Sequence, residues 1–382
     1  MYLIYEKDDL NRTIFEMVFK NTGSAFSKDS VAYFCAHMLN KRGTTNEKEK
    51  FFTKLEEKAV NLNVTVNKEF TSINLVFLNE KANFALKNLL NLLSNPNFSE
   101  EAFEKSKKEI KAKKESLKNN HDYIASKNLY KAMFKGTPLE FPNIGENLEE
   151  VTLEDVKNHF LKLSKNSVVF INGGKKADIS PFLEILPNTP LNEDFFVTPK
   201  QSSVEEKREV EQSYIHFASP FDVEKNEYYL AKIATFILGS GGFGSRIMEE
   251  IRVKRGYAYS AYAVNEFHKT HKILKGYLQT KLQNTEDAKK LIVEIINDFV
   301  EKGVTQEELQ SAKKFLIGSE PLRQETLSQK LTRKFSEYYF GLGEGYYQKE
   351  LELIEKTSLD ELNDFIKKRK ELKNLSFSIV TK

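Results

Sequence analysis

The chain has 382 residues, with 58 Lys and Arg against 55 Asp and Glu, so its formal net charge is +3. A charge this close to balance gives no reason to expect nucleic acid or an anionic membrane as the main partner. The length is sufficient for two domains of about 180 residues, each with its own core. The single cysteine, Cys35, excludes an intrachain disulfide.

The sequence contains no apolar run of membrane-spanning length, so we expect no membrane span. The first residues, MYLIYEKDDL, lack the charged start and the apolar core of a signal peptide. The sequence as it stands indicates the cytoplasm, and removal of an export signal would indicate the periplasm. The compartment therefore stays unknown at this stage.

Each half of the chain predicts a strand, two helices, a strand hairpin, further helices and a final strand. In the first half, residues 59–67 and 71–79 alternate apolar and polar side chains, as half-buried antiparallel strands do. Residues 166–173 predict the closing strand. Strands mixed with consecutive helices indicate an α+β fold, with a mostly antiparallel sheet covered by helices on one face.

The sequence repeats itself at an offset of 206 residues. Residues 82–110 align without gaps on 288–316, and their apolar positions coincide. At the same offset, Thr152-Leu-Glu-Asp155 falls on Ser358-Leu-Asp-Glu361, and both segments resemble capping boxes that open a helix. Two segments that agree on one offset indicate a duplicated domain.

The domain boundaries follow from a segment between the two halves. Residues 186–205 contain three prolines and no periodicity, so we predict a linker there. The N-terminal domain is expected to span 1–185 and the C-terminal domain 206–382. In the C-terminal domain, residues 257–264, 272–281 and 375–381 predict the strands.

The stretch 239–262, GSGGFGSRIMEEIRVKRGYAYSAY, predicts a glycine-rich loop, a short helix and a strand. Ser245 is placed as the helix N-cap and Gly256 as the residue that ends the helix. Arg252 lies near the end of the helix, and Tyr259 follows seven residues later in the strand. We expect the guanidinium and the phenol to flank one helix-to-strand joint, from which both can reach the same extended peptide.

The same loop contains a G-x-G-x-x-G pattern, formed by Gly239, Gly241 and Gly244, with Glu266 about 20 residues further on. A dinucleotide-binding fingerprint requires a strand before the loop. Residues 225–238 have no Gly or Pro and carry apolar residues at helical spacing, so they predict a helix. Because the context is helix, loop, helix, nucleotide binding is rejected.

This block closely resembles the second half of the insulinase/pitrilysin metallopeptidases, a family that includes mitochondrial processing peptidase and bacterial relatives. The family pattern is LGGG-x-x-SR-x-x-x-E-x-R-x-K-R-G-x-A-Y. The matching residues of this chain are Gly239, Gly241, Gly242, Ser245, Arg246, Glu250, Arg252, Lys254, Arg255, Gly256, Ala258 and Tyr259. The resemblance covers nearly the whole chain and implies two stacked sheet domains that form one half of a clamshell.

The resemblance also shows what the first half lacks. Active subunits of this family carry H-x-x-E-H on a buried helix, with a third zinc ligand, a Glu, about 75 residues later. The matching helix is 30–40, where Tyr33 takes the place of the first His, Ala36 that of the Glu, and His37 alone survives. The downstream position falls at or near Ala112. The chain is therefore expected to hold no metal of its own.

The neighbouring residues do not replace the missing ligands. Glu109 and Glu115 flank Ala112, but each residue of helix turns a side chain by about 100°. His37 is interpreted as a core histidine left from ancestry, although an unorthodox metal site at Tyr33 and His37 is an alternative. The other histidines show no ligand spacing, and His268 and His271 are expected to be exposed.

The resemblance implies a function for the second half. In two-subunit members one chain carries zinc and the other is metal-free, as in the alpha subunit of mitochondrial processing peptidase and in bacterial heterodimers. This chain is then expected to bind an unfolded peptide and to supply Arg252 and Tyr259 to the zinc site of a catalytic H-x-x-E-H subunit. The loop glycines Gly239, Gly241, Gly242 and Gly244 would contact substrate, or would simply connect two helices. A catalytically inert scaffold or peptide-holding protein is the alternative.

Overall fold

The computed structural model describes residues 2–165, 168–186 and 194–382. In these ranges the strands are β1 Tyr2–Glu6, β2 Arg12–Lys20, β3 Asn61–Val66, β4 Phe70–Leu78, β5 Val168–Gly173, β6 Val204–Lys207, β7 Gln212–Pro220, β8 Ala258–Phe267, β9 Lys272–Lys281 and β10 Ser376–Thr381. The α-helices are α1 Val31–Lys41, α2 Lys50–Glu56, α3 Ala82–Ser94, α4 Glu100–Leu117, α5 His121–Met133, α6 Leu153–Lys165, α7 Ser180–Ile185, α8 Tyr228–Thr235, α9 Arg246–Met248, α10 Thr285–Lys302, α11 Gln306–Gly318, α12 Leu327–Phe340, α13 Tyr346–Lys356 and α14 Leu359–Lys368. Among the described residues, none of the helices has both the length and the apolar character needed to cross a bilayer.

The first of two compact units comprises the residues up to Ser116, Phe141–Asp194 and Arg323–Tyr339. Its five-stranded sheet has the order β1-β5-β2-β4-β3, in which β1 is parallel to β5 and all other neighbours are antiparallel. The alternation seen in 71–79 has a clear cause, because Ile73, Leu75 and Phe77 are fully buried on one face of β4.

The second unit comprises Leu117–Glu140, Phe195–Leu322 and Phe340–Lys382. Its sheet has the order β6-β10-β7-β9-β8, again with one parallel pair, β6 and β10, at one edge. The strand plan of the first sheet thus occurs a second time. The predicted fold class, α+β with two helix-covered and mostly antiparallel sheets, is confirmed.

Two helices belong to a different unit from the one that chain order suggests. In α5, Ile124 and Ala125 are buried in one apolar cluster with Val380 of β10. In α12, Leu327 and Leu331 are buried against β1, β2 and β5. The first residues of the two helices, His121 and Leu327, are 206 positions apart, so the helices are repeat-related.

This exchange affects the domain boundaries predicted from sequence. A division at 186–205 assigns residues 117–140 to the N-terminal domain and 323–339 to the C-terminal domain, whereas the contacts place each segment in the other unit. Alternation and capping report local structure only, so they carry no information on which sheet a helix covers. Residues 187–193 of the predicted linker, and residues 166 and 167 of the predicted closing strand, lie outside the described residues.

The predicted helix starts at 152 and 358 are confirmed. Thr152 Oγ1 accepts from the Asp155 amide at 3.1 Å, and Asp155 Oδ2 accepts from the Thr152 amide at 3.1 Å. Ser358 and Glu361 form the same reciprocal pair at the start of α14.

Candidate functional site

The glycine-rich loop connects two helices, each of which contains a π-helical turn. Helix α8 continues as a π-turn over Phe236–Ser240, and α9 continues as a second π-turn over Glu249–Val253. Such turns insert an extra residue into a helix and occur frequently at functional sites. The loop between them leads into the start of α9, and Arg252 lies in the π-turn that follows α9.

The four glycines of the loop differ in what they do. Gly239 is buried, and a Cβ built there would lie 2.5 Å from the backbone nitrogen of Ala263 on β8. A Cβ at Gly241 would lie 2.8 Å from the Phe236 carbonyl oxygen. These two glycines allow close packing. The structure therefore places Gly239 in a buried, closely packed position.

Gly242 and Gly244 are needed for backbone conformation. Their φ angles are +64° and +97°, which is the left-handed region, and nothing lies within 4 Å of a Cβ built at either position. Gly244 is exposed, as is the neighbouring Phe243. Ser245 occupies the N-cap position that the sequence predicts, although its hydroxyl donates to the Gly242 carbonyl at 2.8 Å and does not cap the helix.

Arg252 lies between two exposed aromatic rings. Its guanidinium carbon is 4.4 Å from the ring centre of Tyr259 and 4.6 Å from that of Phe243. The exposed fraction is 83% for Tyr259 and 71% for Phe243. Rings this exposed gain little from burial, so stacking on the cation orients all three side chains. The predicted proximity of Arg252 and Tyr259 is therefore present in the structure.

The polar groups of this stack are available to a ligand. Within the described part of the chain, no hydrogen bond or ion pair engages the Arg252 guanidinium or the Tyr259 hydroxyl. Other charged residues of the block are paired. Arg246 makes a bidentate ion pair with Glu308 at 2.6 and 2.7 Å, which ties α9 to α11. Glu250 accepts from Lys254 at 2.6 Å.

The exposure of Tyr259 has a cause in the sheet. Strand β8 is an edge strand of its sheet, and its pairing with β9 shifts register between Ala258 and Ala261. A β-bulge at such a place turns a side chain away from its regular direction, and bulges are frequent beside active sites. The bulge therefore presents Tyr259 outward beside the end of the helix that carries Arg252.

The degenerate zinc-motif residues form a separate site in the first unit. Tyr33, Ala36 and His37 lie on α1 and line a cavity of about 750 Å³ together with β3 and Glu109 of α4. Glu109 Oε2 is 3.4 Å from His37 Nε2. Ala112, the position that the sequence alignment suggests, is exposed on α4 and is not among the lining residues.

The residues of this cavity do not fit a catalytic zinc ion. Catalytic zinc requires three protein ligands. Of the carboxylates that line this cavity, Glu109 contacts His37, and among the described residues no third His, Cys, Asp or Glu ligand atom lies within 4.8 Å of both. Arg42 donates hydrogen bonds to Glu109 and, at 2.6 Å, to Glu49. The Glu109 carboxylate is therefore already paired with a positively charged guanidinium. Ala36 has no group that could act as a base.

The electrostatics of His37 follow from this environment. Burial lowers its pKa to about 4; the Glu109 carboxylate opposes this shift, while Arg42 and Lys41 add to it. Cys35, two residues earlier, is fully buried on another face of α1. His37 is thus a neutral, mostly buried side chain at physiological pH, as expected for a core histidine.

Comparison with known proteins identifies the family. The model described as Insulinase (Peptidase family M16) matches residues 3–146, and the model described as Peptidase M16 inactive domain matches residues 129–316. The chain belongs to the M16 insulinase family. A relative from Helicobacter pylori (strain ATCC 700392 / 26695), the non-peptidase homolog YmxG, is 37% identical over 99% of this chain and 91% of its own length. With the zinc ligands lost, this chain is a non-peptidase homologue within the M16 family.

Two solved structures share this fold. The crystal structure of the peptidase M16 inactive domain from Pseudomonas fluorescens matches with a TM-score of 0.88 at 21% identity, over 99% of this chain and 95% of that one. The crystal structure of a protease from Helicobacter pylori matches with a TM-score of 0.83 at 14% identity, over 100% of this chain and 96% of that one. At these identities the matches concern the fold alone.

Sequence analysis missed several residues of this M16 chain. Phe243 completes the stack on Arg252, and its position inside a run of glycines was the available signal. Glu109 contacts His37 where Ala112 was expected. The prediction that His268 and His271 are exposed is wrong for His271, which is fully buried, while His268 is half-buried. Their rings stack with centres 4.6 Å apart.

Proposed function

We propose that this chain is the non-catalytic subunit of a heterodimeric zinc metallopeptidase. It binds an extended peptide and supplies Arg252 and Tyr259 to the zinc site of a catalytic H-x-x-E-H subunit. The observation that carries the proposal is the contrast between the two sites. Tyr33, Ala36 and His37 cannot form the zinc centre, while half-buried Arg252 stacks on exposed Tyr259 and the polar groups of both are available.

The chemistry of the pair suits a peptide substrate. Arg252 offers several N–H donors in a fixed plane, which can bind backbone carbonyls of an extended chain. The Tyr259 hydroxyl can donate to the oxyanion that develops beside a metal in the partner. Neither group requires a proton to move within this chain, so both act by binding and orientation.

The edge strand supports the same interpretation. Because β8 has β9 as its neighbour on one side, its other side can accept a peptide as an additional strand. Phe243 and Tyr259 offer aromatic surface to the side chains of such a peptide. Gly244 permits close approach of the backbone, since it has no side chain and nothing within 4 Å of a Cβ position.

The test is co-purification of this chain from its own source, followed by reconstitution. A stoichiometric subunit of similar size that carries H-x-x-E-H, and a pair that cleaves unfolded peptides, is the expected result. In the pair, Arg252→Ala should reduce cleavage without affecting assembly. Arg255→Ala is the matched control, because Arg255 lies on the same turn but pairs with Glu250 at 2.5 Å.

The second candidate is a catalytically inert scaffold or peptide-holding protein, favoured by the degenerate zinc motif and by the 37% identical non-peptidase relative. Recovery of the chain alone, or within an assembly without peptidase activity, would support this candidate and contradict the first. Peptide binding that depends on Arg252 but leads to no cleavage would indicate the peptide-holding form.

A further inference from the structure

The hairpin formed by β8 and β9 places three potential metal ligands on one face. Glu266 pairs with Ile273 and Phe267 with Lys272, so His268 and His271 face each other at the end of the hairpin. The His268 amide donates to the His271 carbonyl at 2.8 Å, which closes the turn. Because side chains alternate along a strand and directly opposite residues share a face, Glu266, His268 and His271 lie on the same side.

The ligand atoms of these residues converge. One ring nitrogen of each histidine and one carboxylate oxygen of Glu266 all lie within 4.8 Å of one another. The two rings are stacked at 26°, with centres 4.6 Å apart. Two imidazoles and one carboxylate are a donor set that zinc and similar first-row metals prefer. Small rotations of the side chains would bring the three atoms to bonding distance of one ion.

The surrounding residues orient His271 for this role. Its Nδ1 is 3.0 Å from Thr270 Oγ1, and its Nε2 is 3.4 Å from the Tyr130 hydroxyl. In the tautomer that donates from Nδ1 to Thr270, Nε2 carries the lone pair on the side of Glu266. Metal-binding histidines typically have such a fixed donor contact on their second nitrogen.

Tyr130 and Lys275 hold Glu266 beside the histidines. The Tyr130 hydroxyl donates to Glu266 Oε2, and Lys275 Nζ lies 3.2 Å from Glu266 Oε1. His271 is buried and packs against Tyr130 of α5. Glu266 and His268 are half-buried, so solvent can reach the cluster from their side.

We propose that Glu266, His268 and His271 form a binding site for one divalent transition-metal ion, of which Zn²⁺ fits the donor set best. The bound ion displaces Lys275 from Glu266 and takes water as its remaining ligand. It links the two strands and so stabilises the end of the hairpin. The site shares no residue with the zinc-motif positions Tyr33, Ala36 and His37, and it requires no peptidase subunit.

The test is a titration of the full, tag-free chain with Zn²⁺ by calorimetry and with Co²⁺ by visible absorption, after treatment with a chelator. We expect one equivalent to bind, with the visible bands of a low-coordinate Co²⁺ site. His268→Ala and Glu266→Gln should each weaken binding at least about 10-fold. Both residues are half-buried, so these variants keep the fold more safely than a substitution of buried His271 would.

His37→Ala is the matched control, since it removes a histidine that lies outside the cluster. Its affinity for Zn²⁺ should equal that of the unmodified chain. The absence of saturable binding at millimolar Zn²⁺ would overturn the proposal. Undiminished binding in both His268→Ala and Glu266→Gln would overturn it as well, because the ion would then reside elsewhere.

Discussion

Arg252 stacks on Tyr259 across the joint between a helix and an edge strand, with the guanidinium carbon 4.4 Å from the centre of the ring. The geometry fixes the direction of both side chains before any peptide arrives. A site with this degree of order does not lose conformational freedom again on binding, which favours affinity.

Tyr259→Phe should keep the stack and remove only the hydroxyl. If the hydroxyl stabilises an oxyanion in the partner's site, kcat of the reconstituted pair should fall about 100- to 1000-fold, with assembly unchanged. Steady-state kinetics and gel filtration measure the two quantities. Tyr262→Phe, on the same strand and 41% exposed, is the control and should have little effect. Unchanged turnover in both Tyr259→Phe and Arg252→Ala would rule out this role.

Gly239→Ala should destabilise the second unit. The added Cβ would lie 2.5 Å from the Ala263 backbone nitrogen, and such overpacking typically costs about 1–3 kcal/mol. Gly318→Ala is the contrasting variant, because Gly318 is helical and nothing lies within 4 Å of its Cβ position. Gly318→Ala should raise the free energy of unfolding by up to about 1 kcal/mol. Denaturant unfolding measures the free energy of unfolding of both variants. An equal change in the two would contradict the packing role of Gly239.

Substitutions in α5 and α12 should act on the sheet that each helix covers. Ile124→Ala and Leu331→Ala each remove a buried side chain, at a cost of about 2–5 kcal/mol. Hydrogen exchange followed by mass spectrometry should show faster exchange in β10 for Ile124→Ala and in β5 for Leu331→Ala. The reverse pattern would show that each helix stabilises the sheet of its own half of the chain.

His37 should make stability depend on pH in the acidic range. Burial holds its folded-state pKa at about 4, below the ordinary value of 6.5, so the unfolded chain binds more protons between these values. The contribution of His37 to the free energy of unfolding is therefore complete above pH 6.5 and is lost as the pH falls towards 4. Urea unfolding at several pH values should show a shallower acidic decline for His37→Gln. Identical slopes for both proteins would contradict the buried, neutral state of His37.

Periodicity predicted the local structure well and the long-range placement poorly. The strands around Ile73 and Leu278 were recognised because one face of each is buried, which imposes a period of two. The unit to which α5 belongs could not be predicted, because an apolar helix face does not specify its sheet. Glu109 was named but set aside, although residues three positions apart in a helix, such as Glu109 and Ala112, lie on nearly the same face. His268 and His271 were missed because their pairing depends on the register of the hairpin.

The placement of α12 has a consequence for synthesis of the protein on the ribosome. Unit 1 has all of its strands once Asp194 is made, but its last segment ends at Tyr339, which is 145 residues later (339 − 194). If the ribosome adds about 5–20 residues per second, the sheet surface that Leu327 and Leu331 cover stays exposed for roughly 7–30 s. Over that interval the nascent chain presents an apolar surface to chaperones, and a gene cut at the linker would leave that surface open permanently.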